Sequence, residues 1–368
     1  MPVGLLSIPR EIRDLILDHV VFLPDREPPL NPSASLQRKR REYKGKSFFD
    51  GHDIWVEKQQ KPRAPPAGSP NTAILLVNQQ LHDEAKALLD SKGTHCRLDV
   101  MYVKECGLWP TWLAVPRTTR HADSVHVQFR IFDPPADIDP DWKNEDQFRG
   151  GSGGPPFIVW NFYAMLSGYL RYGPSTFSSV VADPSHFTVK NLIIDVIAPP
   201  ANEKHDSLVP GGARRSTHDM FEGFTHMVMD AEERERVGIA WPRPPEGKEN
   251  LIPAEKLAFF MCCQVGGLLS MYRDWADYGA ALYEGIGSIQ IRVNGELRRH
   301  FDMDEMLARL PIQPITAWNE KEQKKRQRHF DDWKAQATTR RQGWKKARGR
   351  REKMSIPILC IRRRHYRV

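Results

Sequence analysis

The 368-residue sequence lacks a long apolar run, and its longest one is the stretch from Leu257 to Cys263. A membrane-spanning helix needs roughly 20 consecutive apolar residues, so no such helix is predicted. A secretory signal is also missing, because charged residues interrupt the apolar ones over positions 5–21 and no basic segment precedes them. These absences predict an intracellular protein, in the nucleus or the cytoplasm, with no membrane partner.

Sequence motifs for metal, cofactor and nucleophile chemistry are missing as well. The five cysteines form no Cys-x-x-Cys pair, and no His/Cys cluster has the spacing of a zinc site. H-E-x-x-H does not occur. The glycine-rich stretch Gly-Gly-Ser-Gly-Gly at 150–154 meets the bare G-x-S-x-G pattern, but no buried strand is predicted directly before it, and it lacks the Lys-Ser/Thr pair of a P-loop. We therefore predict no enzymatic activity, no catalytic or cofactor-binding residue and no metal site.

Charge divides the chain into two unlike parts, although the net charge is +8 overall. Residues 321–368 contain 18 Lys/Arg and 4 Asp/Glu, whereas residues 1–320 contain 36 Lys/Arg and 42 Asp/Glu. Hydrophobic residues make up 40% of the sequence, which is enough for a core. The composition therefore predicts a mildly acidic folded body followed by a basic tail.

The periodicity of apolar residues predicts an α/β body. Alternation predicts strands over 94–103, 121–132, 186–199 and 286–297. Helical spacing predicts helices over 156–172, about 215–236 and 252–283. Strands separated by helices are typical of a mainly parallel central sheet with covering helices. An α+β arrangement and a degenerate leucine-rich-repeat-like arrangement stay open as alternatives.

Three regions are predicted along the chain. They are residues 1–92, with two helices and a polar loop at about 24–70, residues 93–314, with the α/β body and a loop insertion at about 133–156, and residues 315–368, with a long basic helix and tail. Within the polar loop, Phe48, Phe49, Ile54 and Trp55 are expected to contact the body.

The first region opens with LLSIPREIRDLILDHVV at 5–21, which predicts an amphipathic helix. Pro9 suits its first turn, and Pro24 ends it. One face carries Ile12, Leu15, Ile16, His19 and Val20. A second helix is predicted over 71–93 from NTAILLVNQQLHDEAKALLDSKG, with Gly93 as its stop.

SIPREIRDLILDHVV resembles the first helix of an F-box, with an apolar-Pro-x-Glu-Ile start followed by isoleucine and leucine at helical spacing. NTAILLVNQQLHDEAKALL resembles the helix that follows in many fungal F-box-like proteins. The resemblance implies a non-enzymatic substrate receptor that docks a Skp-type adaptor of a cullin ubiquitin ligase, while its α/β body binds an unknown protein target. By position it assigns adaptor contacts to Ile8, Pro9, Ile12, Leu15, Ile16, Leu75, Leu76 and Leu81. Packing of these residues inside the protein's own core is the alternative.

The basic tail supports a second hypothesis, that of a nucleic-acid-binding or nuclear scaffold protein. Its cations would contact phosphates, and Trp333, Trp344 and Tyr366 would offer stacking surfaces. The predicted contacts are Lys324, Lys325, Arg326, Arg328, Lys345, Lys346, Arg348, Arg350 and Arg351. A solvated basic helix or a nuclear-import signal would show the same pattern.

Overall fold

In a computed structural model of the protein, the described residues are 4–22, 27–40, 54–57, 74, 76–103, 106–115, 121–132, 134–135, 137–143, 157–172, 187–197, 254–271, 276–312 and 319–354. The helix predicted over about 215–236 lies outside these ranges. No helix within them is long and apolar enough to cross a membrane.

The centre of the fold is a mixed six-stranded sheet. The strands of the described chain are β1 (Arg38–Arg40), β2 (Trp55–Glu57), β3 (His95–Val103), β4 (Gly107–Ala114), β5 (His121–Phe132), β6 (Thr188–Ile197), β7 (Ile286–Val293) and β8 (Glu296–Asp302). The sheet has the order β4-β3-β5-β6-β7-β8. Its four central strands are parallel, while β4 and β8 pair antiparallel at the two edges. The predicted α/β class is confirmed at this level, with a parallel centre inside a mixed sheet.

The described helices are α1 (Arg10–Phe22), α2 (Gln79–Lys92), α3 (Phe157–Tyr172), α4 (Ala254–Leu269), α5 (Ala276–Gly285), α6 (Met303–Arg309) and α7 (Glu320–Met354). The prediction for 156–172 is confirmed by α3, and the long basic helix of the tail is confirmed by α7. The region 252–283 contains two helices, α4 and α5, where one helical segment was predicted.

One face of the sheet is covered by helices because its strands bury every second residue. Val127, Ile194 and Ile291 are register partners on β5, β6 and β7, and all three are buried. They belong to the main core, the apolar cluster that these strands form with residues of α3, α4 and α5. The parallel strands follow one another across the sheet, so right-handed connections place the helices on the same face.

The opposite face is covered at one end by segments from the predicted polar loop. Trp55 of β2 stacks on Trp142 with ring centroids 4.0 Å apart, and both pack beside Met101 and Trp109. Arg38 of β1 is fully buried and donates to the backbone carbonyls of Trp55 and Pro110. The span 24–70 therefore contains two short strands, and the expected contacts of Ile54 and Trp55 with the body are confirmed. Phe48 and Phe49 lie outside the described residues.

The long helix α7 is attached to the body through its middle turns. Ala337 and Arg341 are buried. The Arg341 guanidinium donates to the carbonyls of Tyr283 and Ile286 at 2.6 Å each and pairs with Asp304 at 2.6 Å. This arginine of the basic tail therefore has a structural role, since it satisfies backbone carbonyls where α5 ends and β7 begins.

Candidate partner-docking site

The helices α1 and α2 form a separate unit, called here the N-terminal helix pair. Its small apolar cluster is distinct from the main core and contains Leu17, Val21, Leu81, Ala85 and Leu89. Arg13 contacts Glu84 and Asp18 contacts Lys92, so the partners advance along both helices in the same direction. The two helices therefore begin side by side.

Local capping explains where α2 begins and ends. The Asn78 side chain accepts a hydrogen bond from the Leu81 N–H at 2.8 Å, as an N-cap residue does. The helix therefore begins at Gln79, later than predicted, and Leu76 and Val77 precede it. It ends at Lys92, and the predicted stop residue Gly93 caps it, with its N–H donating to the Leu89 carbonyl.

A buried ion pair joins the two helices. Arg13 Nε lies 2.9 Å from Glu84 Oε2, and Arg13 Nη2 lies 2.6 Å from Glu84 Oε1. The third guanidinium nitrogen donates to the carbonyls of Leu6 and Ile8, which fastens the turn before α1. Hydrogen bonds from Arg13, and more weakly from Gln80, lower the pKa of Glu84 to about 2 against the opposing effect of desolvation. At neutral pH the pair is fully charged.

The face of α1 that contacts α2 includes Arg13 of the ion pair, and other apolar residues of α1 point away from α2. Arg13, Leu17 and Val21 recur every four residues and face α2, so they are buried. Ile12 and Leu15 point elsewhere and are 47% and 67% exposed. Three further apolar residues are exposed just before the two helices, namely Leu6, Leu76 and Val77. These five exposed residues are called here the outward apolar residues.

The predicted adaptor contacts are divided between surface and interior. Pro9, Ile12, Leu15 and Leu76 are exposed, and Ile8 and Ile16 are half-buried. Leu81 is buried in the small cluster, where it supports the pair and is closed to a partner. Leu75 lies outside the described residues. Sequence reasoning did not assign Leu6 and Val77, although both lie within the two quoted stretches.

The predicted nucleic-acid contacts lie along α7. Lys324, Lys325 and Arg328 are exposed, and Arg326 is half-buried. Trp333 is not an open stacking surface, because its indole N–H donates to Glu284 at 2.9 Å and its ring packs against Phe330. The side chains of the remaining predicted contacts, in the last turns of the helix, are not among those that the structure describes: Lys345, Lys346, Arg348, Arg350 and Arg351. Tyr366 also lies outside it.

The junction between the helix pair and the sheet is a tight backbone contact. Gly93 has φ +83°, and a Cβ at this position would lie 2.5 Å from Asp123 Oδ2. The same carboxylate oxygen accepts the Thr94 N–H at 2.9 Å, and the Asp123 N–H donates to the Thr94 carbonyl at 2.8 Å. Only glycine fits here, both for its conformation and for the space available.

The described residues include no group of three or more His, Cys, Asp or Glu side chains placed to hold a metal ion. Burial raises the pKa of Cys96 to about 12, so its thiol is protonated at neutral pH.

A scan against protein-family models and searches of curated proteins and of solved structures found no match for the chain.

Proposed function

We propose that the protein is a non-enzymatic interaction module, an F-box-like substrate receptor whose N-terminal helix pair docks a Skp-type adaptor of a cullin ubiquitin ligase. The adaptor would contact the outward apolar residues. The sheet body would then present a separate protein target to the ligase.

The observation that carries this proposal is the exposure of Ile12 and Leu15 on α1. An ordinary core helix would turn these residues inward, whereas here the small cluster uses Leu17 and Val21. Leu76, in the segment before α2, is a third large exposed side chain at 88%. Ile12 and Leu15 are neighbours on one face of α1, and adjacent large apolar side chains that are exposed are typical of a surface that another protein covers.

The physical mode of docking would be a helix in an apolar groove. Ile12 and Leu15 lie three residues apart, which is the spacing of anchors on one helical face. A few such anchors normally carry most of the binding energy, and the residues around them exclude water. The half-buried Ile8 and Ile16 would lie beside these anchors and widen the contact.

The test is binding of the full chain to a Skp-type adaptor, measured by calorimetry. We expect saturable binding by the wild type and its loss in an Ile12→Asp/Leu15→Asp variant, because two charges would be placed in the apolar contact. Circular dichroism would check that the variant retains its helix content, which is expected since both positions are exposed.

A matched control places the same charges on other exposed leucines. Leu30 and Leu297 are 76% and 55% exposed and lie outside the helix pair, so Leu30→Asp/Leu297→Asp should bind the adaptor like the wild type. The proposal would fail if the folded wild type did not bind, or if both double variants lost binding equally.

A second candidate function is nucleic-acid binding through α7. Lys321, Lys325 and Arg328 are exposed and make no hydrogen bond or ion pair in the described part of the chain. Phosphate binding by such side chains would weaken steeply as salt increases. Fluorescence anisotropy with a labelled oligonucleotide, at low and moderate salt, would test it, and salt-independent or absent binding would contradict it.

A further inference from the structure

The face of the sheet opposite the main core carries two rows of mostly polar side chains. The strand register places Arg97, His126, Ile193 and Gln290 in one row across β3, β5, β6 and β7. The adjacent row contains Asp99, Gln128, Asp195 and Arg292. These eight residues are called here the open sheet face.

No described helix covers these two rows. Six of the eight residues are half-buried, and Asp99 and Asp195 are buried. Parallel strands are normally covered on both faces and apolar on both. The polar character of these central strands therefore needs a reason other than the stability of the sheet.

Two arginines on this face have no carboxylate partner within the described residues. Arg97 makes neither a hydrogen bond nor an ion pair there, and Arg292 donates only to Gln290 of its own strand, at 2.6 Å. His126 also makes no hydrogen bond there and lies beside Arg97 in the same row. A nearby arginine shows the contrast, since Arg130 pairs with Asp99 at 2.6 Å and 2.8 Å and donates to the Pro29 carbonyl.

The spacing of these cations favours an extended ligand. Arg97 and Arg292 are separated by three strand steps and two residues along the strands. With about 4.8 Å between strands and about 3.3 Å per residue, their Cα atoms are about 16 Å apart. An extended peptide covers that distance in about five residues. Ile193 lies in the same row between the two ends and offers an apolar contact.

We infer that the open sheet face binds an extended, acidic segment of another protein, with carboxylates held by Arg97 and Arg292 and an apolar side chain resting on Ile193. The inference rests on the proposed receptor function, since it assigns the target to this face. His126 adds a hydrogen-bonding group between the two ends.

The chemistry of the face favours a peptide over a nucleic acid. A nucleic-acid backbone presents continuous negative charge, which is matched by a uniformly basic groove. Here Asp195 lies in register between Gln128 and Arg292, and Ile193 interrupts the other row. A peptide can place its carboxylates at the arginines and a neutral residue beside Asp195, which a phosphate backbone cannot do.

The test uses the full chain and a fluorescein-labelled 16-residue peptide with glutamate at every fifth position and valine between. A second peptide has the same composition with its glutamates adjacent. We expect the spaced peptide to bind saturably in fluorescence anisotropy. Loss of charge-assisted hydrogen bonds in Arg97→Gln/Arg292→Gln should weaken this binding by about tenfold or more.

The matched control is Lys86→Gln/Arg309→Gln, which removes the same charge from exposed positions on α2 and α6. Its affinity should stay within about twofold of the wild type, because distant surface charges are screened. The inference is overturned if both double variants bind alike, if the two peptides bind alike, or if no peptide binding occurs. It is also overturned if only inorganic phosphate or a single-stranded oligonucleotide binds at these arginines.

The peptide measurement needs no adaptor, so the two proposals can fail separately. Adaptor binding without peptide binding would remove only the role of the open sheet face. Peptide binding without adaptor binding would leave this face as a protein-binding site and remove the ligase role of the helix pair.

Discussion

In the N-terminal helix pair, Ile12 and Leu15 face water while Arg13 is buried against Glu84. In the sheet the arrangement is reversed, since Val127 is buried and Arg97 and His126 lie on the outer face. The helix pair has a small apolar cluster of its own, whereas the sheet is supported by the main core. The small unit must therefore depend more on its ion pair, and it leaves the apolar side chains of Ile12 and Leu15 exposed.

The largest expected effect comes from shortening side chains in the two clusters. Phe129→Ala, in the main core, should cost about 3–5 kcal/mol of unfolding free energy. Leu17→Ala, in the small cluster, should cost about 2–5 kcal/mol locally, without destabilising the sheet body. Tryptophan fluorescence separates these outcomes, because residues 4–22 and 74–92 contain no tryptophan while Trp109 is buried in the body.

Denaturant titrations followed by fluorescence should therefore shift for Phe129→Ala and stay in place for Leu17→Ala. Hydrogen exchange should show faster opening of α1 and α2 in the Leu17 variant alone. An equal shift of the fluorescence midpoint in both variants would show that the helix pair and the sheet body unfold as one unit.

The next effect is a pH dependence confined to the helix pair. The pKa of Glu84 is lowered to about 2 in the folded protein, mainly by hydrogen bonds from Arg13. A carboxyl with a lowered pKa stabilises the fold above its unfolded pKa, and that stabilisation is lost as pH falls. We expect amide protection in α1 and α2 to decrease between pH 4.5 and 2.

Glu84→Gln should weaken the pair at neutral pH and reduce this pH dependence. Asp18→Asn is the matched control, because the ion pair between Asp18 and Lys92 is more exposed. Exchange rates, corrected for the intrinsic effect of pH, would check both variants. A Glu84→Gln protein with the same pH profile as the wild type would contradict the assigned role of the ion pair.

The smallest effect is expected at a surface pair on α7. Lys324 contacts Glu320 at 2.5 Å in an i,i+4 arrangement, and both side chains are largely exposed. Such pairs contribute about 0.3–0.5 kcal/mol, so Lys324→Ala should change the thermal midpoint very little. A large shift would mean that this end of α7 contributes to folding in a way its exposure does not suggest.

The sequence predicts those parts of the fold that local periodicity determines. The alternation in β5, β6 and β7 and the long polar helix α7 are visible in single segments. β4 was missed because it contains Pro110, which is uncommon inside a strand. The strands β1 and β2 were not predicted because they lie in a polar span. Arg38 of β1 is buried only because it donates to carbonyls of residues distant in the sequence.

The candidate site shows the same limit. The stripe of Ile12, Leu15 and Ile16 was visible, but its orientation was not. Arg13 is buried because Glu84, 71 residues away in the sequence, pairs with its charge. The residues around either partner in the sequence do not predict such a pair. The open sheet face was also invisible, since its rows exist only after the strand register is known.

Gly93 forms a tightly held connection between the N-terminal helix pair and the sheet. The helix pair and the sheet have separate cores, yet the chain between them is held by the Asp123 carboxylate and leaves no space for a side chain. Two surfaces that belong to separate apolar clusters can thus keep a constant orientation relative to each other. A partner carried on the helices would then be held at a set angle to anything lying on the strands, and replacing one hydrogen atom at Gly93 with a methyl group would disturb that angle.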